Sequence, residues 1–239
     1  MSKTITFVPA MAFILLVGTA AVVNAGPGTA WRSFYQEAPA IRVLDPLANM
    51  VGCVEDENNT LTIHLTDVAL YTGHVCPGVA SGYMITCRAL EKLYPNSVPV
   101  RGQIRLVATA PNDMLDVAAY ITGARAFYGR DEINGGDLAV DPTLGPAERG
   151  RFTIVFQRKD TGKAVKVAFD KSKLMVPGQF KPFHRKVMDG TATAQEKQEN
   201  WEAIQAIVRT ALTSPPEGLM EFSLLDAFDY PEATDAAAE

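Results

Sequence analysis

Two alternating apolar segments joined by a tight turn constrain the fold more than any other part of the chain. Residues 152–157 and 164–169 each have the pattern of a β-strand, and Lys159-Asp160-Thr161-Gly162 between them is typical of a hairpin turn. Residues 61–65 and 101–109 predict further strands. Helices are predicted to begin near Asp67, Pro77, Asp113 and Thr193. Because helices and hairpin are segregated along the chain, we predict an α+β fold: an antiparallel sheet packed with helices in a single main domain.

The segment Thr72-Gly73-His74-Val75-Cys76-Pro77-Gly78 carries the most specific chemistry in the chain. Gly73 can end one helix and Pro77 suits the first turn of the next. Between them, His74 and Cys76 offer an imidazole and a thiol, which are ligands that zinc and similar transition metals prefer. A thiol just before a helix also meets the positive end of the helix dipole, which favours the thiolate. The segment therefore predicts a metal site, a reactive thiol, or both.

The first 25 residues predict export. Lys3 is their only charge, an apolar run covers residues 7–23, and the small residue Ala25 with Val23 two positions before it fits a signal-peptidase cut. The alternative is a membrane anchor, but the run is at the short end of what spans a bilayer and contains Pro9. We therefore expect a periplasmic or secreted protein without stable membrane insertion after cleavage.

Charge and composition argue against nucleic acid as a partner. The net charge of −5 becomes −6 when Lys3 is removed, and no basic patch with interleaved aromatic residues is present. We divide the chain into a signal peptide (1–25), an N-terminal extension that wraps the domain (26–59), the main domain (60–213) and a C-terminal tail (214–239). The acidic, low-complexity end of that tail is expected to be disordered. Apolar stretches expected at the surface allow a homodimer.

The chain has three cysteines, Cys53, Cys76 and Cys87. In an oxidising compartment an odd number leaves at least one thiol unpaired, bound to metal, or linked to another chain. Metal ligation would protect such a thiol from oxidation. The alternative is one disulfide with one inert buried cysteine, and a bond between Cys53 and Cys87 stays open. A helix rises about 1.5 Å per residue, so Cys87 lies too far from Cys76 to share its metal and is expected to be a core residue.

A helix, then Gly-His-x-Cys-Pro-Gly, then a helix of small residues resembles the E-type subunit of formylmethanofuran dehydrogenase and its relatives. The segment Asp113-Met114-Leu115-Asp116-Val117 is similar to the family's Cys-x-x-Asp helix, and Ile121-Thr122-Gly123-Ala124 to its Thr-Gly-Cys step. Tyr128-Gly129-Arg130 is similar to its Gly-Lys-Gly turn. The hairpin and the closing helical region follow in the family's order, so the resemblance covers roughly residues 60–213. It favours a metal site over a metal-free thiol.

The chain departs from the family pattern at three positions. Thr72 stands where the family usually carries a further His, Asp113 replaces the Cys of the Cys-x-x-Asp segment, and Ala124 replaces the Cys after Thr-Gly. The Cys-rich zinc-ribbon tail of many relatives is also missing, so the chain resembles the core domain only. The loss of thiols fits an oxidising location. An exported protein would also have no access to the cytoplasmic methanofuran complex.

A stable metal site needs three or four ligands, and His74 with Cys76 supplies two. His64 is a third candidate, because a short helix folding back could bring it near. Asp113 and Asp116 lie three residues apart on one face of a helix start, where either could bind metal or cap the helix.

Three functions remain open at this point. In the first, one transition metal ion, zinc, is held by His74, Cys76 and His64, with Asp116 orienting the ligand shell and an open position for water or an unidentified small-molecule substrate. In the second, Cys76 is a metal-free nucleophile or redox thiol with His74 as its base. In the third, the protein handles a metal or cofactor without catalysis. If the protein is an enzyme, Cys76 and Asp116 are its expected catalytic residues. His184 lies in a basic loop and is expected to be solvated.

Overall fold

The computed structural model describes residues 30–54, 60–125, 136–146, 148, 150–175 and 183–231 of the 239-residue chain. Its helices are α1 (Pro46–Met50), α2 (Leu65–Thr72), α3 (Pro77–Leu93), α4 (Asp113–Thr122), α5 (Phe183–Met188) and α6 (Ala194–Thr213). Its strands are β1 (Ile41–Leu44), β2 (Thr60–Ile63), β3 (Ile104–Ala108), β4 (Leu138–Val140), β5 (Arg151–Arg158), β6 (Ala164–Asp170) and β7 (Met220–Leu225). None of the helices in these ranges combines the length and apolarity needed to cross a membrane.

The main sheet has the strand order β4-β3-β5-β6-β7, with the predicted hairpin at its centre. Val155 pairs with Lys166 and Ile154 with Val167, so the hairpin register runs straight through the alternating segments. The α+β class is confirmed. The sheet is mixed, however, because β4 runs parallel to β3 while the other neighbours are antiparallel. Strand β4 has only three residues and lies in a Gly- and Asp-rich loop, so an alternation of apolar and polar residues cannot predict it.

Helix α3 lies in the middle of the core and packs against α4, α6 and β6. Tyr83 at its centre is fully buried, and its hydroxyl donates hydrogen bonds to the carbonyls of Pro39 (2.7 Å) and Ile63 (3.0 Å). Gly82 lets α3 and α4 approach closely, since a Cβ atom at Gly82 would lie 2.7 Å from the Cα of Met114. This close approach brings the two helix starts together.

The helix ends follow the predicted signals. Gly73 ends α2 and Gly123 ends α4, and both have φ of +75°, a left-handed conformation that glycine adopts without strain. Pro77 is the first residue of α3. Helix α6 begins after a capping box in which the side chains of Thr193 and Glu196 each accept a backbone hydrogen bond from the other residue.

The folded domain extends beyond both predicted boundaries of residues 60–213. Strand β1, in the predicted extension, pairs with β2, and β7, in the predicted tail, pairs with β6 from Ala164 to Phe169. The Met-Glu-Phe-Ser-Leu alternation of β7 is a strand signal that the low complexity of the following residues obscured. The predicted signal peptide (1–25), the last eight residues and Tyr128-Gly129-Arg130 lie outside the described residues.

Candidate metal centre

The N-termini of α3 and α4 meet at the centre of the candidate site. Cys76 caps α3, and its Sγ accepts a hydrogen bond from the backbone N–H of Val79 at 3.4 Å. Asp113 is the first residue of α4 because Asn112 is the cap, whose side chain accepts from the N–H of Met114 at 2.9 Å and of Leu115 at 3.1 Å. Because the Asn112 side chain accepts these N–H groups at the helix start, the Asp113 carboxylate is not used as the cap and faces Cys76.

Three potential ligand atoms converge here. The Oδ2 atom of Asp113 lies 3.1 Å from Cys76 Sγ and 3.7 Å from His74 Nε2, and all three ligand atoms lie within 4.8 Å of one another. In a tetrahedral zinc site with bonds of about 2.0–2.3 Å, neighbouring ligand atoms are separated by about 3.3–3.8 Å. The three side chains therefore need to move little to hold one ion.

The imidazole of His74 is oriented by the turn before it. Its Nδ1 lies 3.0 Å from the carbonyl oxygen of Thr72, and since a carbonyl can only accept, Nδ1 must carry the proton in this bond. The lone pair is then on Nε2, the nitrogen that faces Asp113. The Thr72 hydroxyl donates to the carbonyl of His74 at 2.7 Å, and Gln205 of α6 donates to the carbonyl of Val75 at 3.2 Å. These bonds fix the loop in a conformation suited to a metal ligand.

The thiol of Cys76 is protonated in the absence of a cation. Burial raises its pKa above the ordinary value, the hydrogen bond from Val79 lowers it, and the neighbouring Asp113 raises it again. The lowering expected from the helix start is therefore outweighed. The thiol donates to the Asp113 carboxylate, so a nucleophilic thiolate is not favoured here, whereas a bound cation would displace the proton and stabilise the anion.

Two predicted site residues lie apart from this group. His64 is the N-cap of α2, so the helix begins slightly before the predicted start near Asp67; His64 is exposed, and its backbone N–H donates to Asp67 Oδ2 at 2.8 Å. Asp116 lies in the first turn of α4 and is also exposed. The structure brings Asp113 to His74 and Cys76, and it leaves His64 and Asp116 out of the His-Cys-Asp group found among the described residues.

The other two cysteines lie outside the His-Cys-Asp group. All three cysteines are free thiols, so Cys53 and Cys87 are not joined in the structure. Burial and the neighbouring Glu91 raise the pKa of Cys87 to about 12, which makes it inert at neutral pH, in line with the predicted core role. Cys53 is exposed, and its thiol donates to the carbonyl of Ala48 at 3.1 Å.

A cavity of about 580 Å³ opens beside the ligand group, with Cys76 and Asp113 in its wall. The starts of α3 and α4 form one side, and the adjoining ends of β5 and β6 form another. His184 of α5 also lines the cavity, and it is exposed, as its basic sequence context predicts. The fold alone places His184 there, because it is more than 100 residues away from Cys76 in the sequence.

The family profile described as "FmdE, Molybdenum formylmethanofuran dehydrogenase operon" matches residues 71–221, more than half of the chain. The chain belongs to the FmdE family. The predicted resemblance is thereby confirmed, and the match includes β7 as far as Glu221. Within this FmdE domain lie His74, Cys76 and Asp113. The family match and the His-Cys-Asp group together support a metal-binding protein.

Comparison with solved structures finds a tungsten formylmethanofuran dehydrogenase FmdE-like protein from Syntrophus aciditrophicus. It is 17% identical, with a TM-score of 0.37, and the match covers 68% of this chain and 72% of that one. Curated protein sequences give no match. The family assignment therefore rests on the profile match over residues 71–221.

Proposed function

We propose that this FmdE protein holds one zinc ion through His74, Cys76 and Asp113, next to a cavity in which a small molecule binds. The observation that carries the proposal is the convergence of the three ligand atoms within 4.8 Å of one another. Asp113 takes the place of His64 in the predicted ligand set, and Asp116 is not required.

The donor set favours zinc over harder or softer ions. One thiolate, one imidazole and one carboxylate combine soft and hard donors, which suits a borderline ion such as zinc. Magnesium and calcium prefer oxygen ligands alone, and copper(I) prefers sulfur. Three protein ligands are typical of zinc sites that keep one position for water or substrate, and the cavity lies against this group. Zinc would supply Lewis acidity at that position.

The test is the zinc content of the protein, purified without a metal-affinity tag, with each ligand variant paired to a matched control. Cys76→Ser is paired with Cys53→Ser, His74→Ala with His64→Ala, and Asp113→Ala with Asp116→Ala. We expect about one zinc per chain in the wild type and in all three controls, and strongly reduced zinc in the three ligand variants.

Two results would contradict the proposal in different ways. Equal and negligible zinc in the wild type and Cys76→Ser would remove the metal site. Zinc loss in His64→Ala or Asp116→Ala, with retention in Asp113→Ala, would show that the predicted ligands, and not Asp113, complete the site.

Export is a separate part of the proposal. The apolar run at residues 7–23 and the small residue Ala25 support a signal peptide that is cut after Ala25. Mass spectrometry of the protein from the periplasm or culture medium should find Gly26 as the first residue. Recovery of the chain from the cytoplasm with an intact N-terminus would contradict export and leave the metal site unaffected.

A further inference from the structure

The cavity beside His74, Cys76 and Asp113 (the metal group) has an apolar wall. Phe152 and Phe169 form a cross-strand pair between β5 and β6, and both are buried and line the cavity. Leu174, Met175 and Ile204 extend this surface. Cavities of about 300–1,000 Å³ with mostly apolar walls are the usual sites of small organic ligands, and methionine adapts to ligands of different shape. The cavity therefore suits the apolar body of a ligand.

Positive charge lines the same cavity where β5 begins and β6 ends. Arg151 and Lys171 are both lining residues, and the backbone N–H of Lys171 donates to the Gly150 carbonyl at 2.9 Å. Arg151 is already paired, since its guanidinium lies 3.2 Å from the buried carboxylate of Asp170. Lys171 is exposed and has no acidic partner among the described residues. Among the described residues that line the cavity, Lys171 thus contributes a positive charge with no acidic partner in the described part of the chain.

The metal end of the cavity contributes no net charge when it is occupied. A zinc ion with one thiolate, one carboxylate and one neutral imidazole sums to zero. This step rests on the proposed function, whereas the charge of Lys171 does not. In the described part of the chain, the cavity then combines an apolar wall, a neutral metal centre and the ammonium group of Lys171, which has no acidic partner there.

We propose that the cavity binds an organic monoanion, a carboxylate with an apolar aromatic or aliphatic body, whose charge is paired with Lys171. The apolar body lies against Phe152 and Phe169, and the carboxylate stays towards the solvent-exposed ammonium group. A phosphate monoester would bring about two negative charges, whereas Lys171 is the one cation without an acidic partner among the described lining residues, so a carboxylate is favoured.

Three probes that share a phenylalkyl body and carry a negative, a neutral or a positive head group test this proposal: 6-phenylhexanoate, 6-phenylhexanamide and 6-phenylhexylamine. Their dissociation constants are measured by calorimetry on the zinc-loaded and the chelator-treated full chain. The variants are Lys171→Glu and Lys171→Gln. The matched control is Lys173→Glu, which reverses a charge in the same turn at a residue that does not line the cavity.

We expect wild type and Lys173→Glu to bind the carboxylate about two- to fivefold more tightly than the amide, as for a partly exposed charge pair. Lys171→Gln should lose this preference, and Lys171→Glu should bind the amine more tightly than the carboxylate. The amide monitors the cavity itself, so loss of amide binding in Lys171→Glu would indicate a folding defect, and Lys171→Gln then decides.

The proposal is overturned if none of the probes binds, if the carboxylate has no advantage over the amide, or if the Lys173 and Lys171 variants behave alike. A carboxylate preference that persists in both Lys171 variants and disappears after chelation would assign the anion to the metal and also overturn it. If the wild-type protein binds no zinc but still prefers the carboxylate in a way that depends on Lys171, the proposed metal site is contradicted and this inference is supported. The two failures are therefore distinguishable.

Discussion

Asp113 decides the composition of the metal group. By the resemblance to the family, it stands where relatives carry a cysteine, and the structure places its carboxylate 3.1 Å from Cys76 Sγ. A carboxylate in that position keeps a ligand while it removes a thiol that could form a disulfide with Cys76. This exchange suits the oxidising compartment that residues 1–25 predict.

A substitution at Gly78 tests the geometry of the His-Cys-Asp group, and we expect the fold to be retained. A Cβ atom at this position would lie 3.3 Å from Asp113 Oδ2 and 3.4 Å from Cys76 Sγ, within the ligand group. We expect Gly78→Ala to weaken zinc binding, because both ligands must shift, while the stability of the zinc-free protein stays equal or rises slightly, since alanine favours helix. Zinc titration and urea unfolding of the zinc-free protein measure the two effects. Unchanged zinc affinity would place the ion away from Gly78.

Individual residues of the candidate site also show how much of it could be predicted from the sequence. The location at His74 and Cys76 is predictable, because both residues lie in one short segment whose helix stop and start are locally encoded. The third member of the His-Cys-Asp group is not, because Asp113 and Asp116 share a helix start and only the use of Asn112 as the cap leaves Asp113 facing Cys76. His64 as a ligand stays a prediction: in the structure it is the N-cap of α2, which begins earlier than the local signals indicate, and it lies outside the His-Cys-Asp group of the described residues.

At the scale of elements, local sequence patterns predict the secondary structure of the longer segments. The β5–β6 hairpin follows its alternation and turn, helices α3, α4 and α6 begin at their predicted starts, and α2 ends at the predicted Gly73. Strands β1, β4 and β7 are not predicted. All three lie at a sheet edge, where pairing with one neighbouring strand contributes to strand formation beside local propensity.

The approach of α3 to α4 determines whether the metal group can form at all. At Gly82 an added Cβ atom would lie 2.7 Å from the Met114 Cα, a backbone atom that cannot rotate away. We expect Gly82→Ala to separate the helices, lower the free energy of unfolding by about 1–3 kcal/mol, and weaken zinc binding as a consequence. Urea unfolding of the zinc-free protein measures the first effect. Gly78→Ala is the control in the same helix, and equal stability of the two variants would contradict this account.

At the scale of the whole molecule, the two chain segments outside the predicted domain complete the fold. Residues 31–38 pack on α6, where Tyr35 donates to Gln205 at 2.8 Å, and Gln205 in turn holds the metal-site loop through Val75. At the other end, the Gln157 side chain donates to the carbonyl of Phe228 at 2.6 Å, and Arg105 lies over the ring of Tyr230. The domain therefore extends well past residue 213.

Truncation separates the folded part of the predicted tail from the residues beyond it. A chain that ends at Ser214 loses β7 and the fully buried Leu219, and it leaves β6 as an unpaired edge. Removal of a buried leucine alone costs about 2–5 kcal/mol, and an exposed edge strand promotes aggregation. We expect this variant to unfold at much lower urea concentration and to aggregate at micromolar protein concentration.

A chain that ends at Pro231 is the control. It keeps β7 and the contacts of Phe228 and Tyr230, so its unfolding midpoint should match that of the full chain. Equal unfolding midpoints for the two truncated chains would show that β7 does not stabilise the sheet and would support the predicted domain boundary at residue 213.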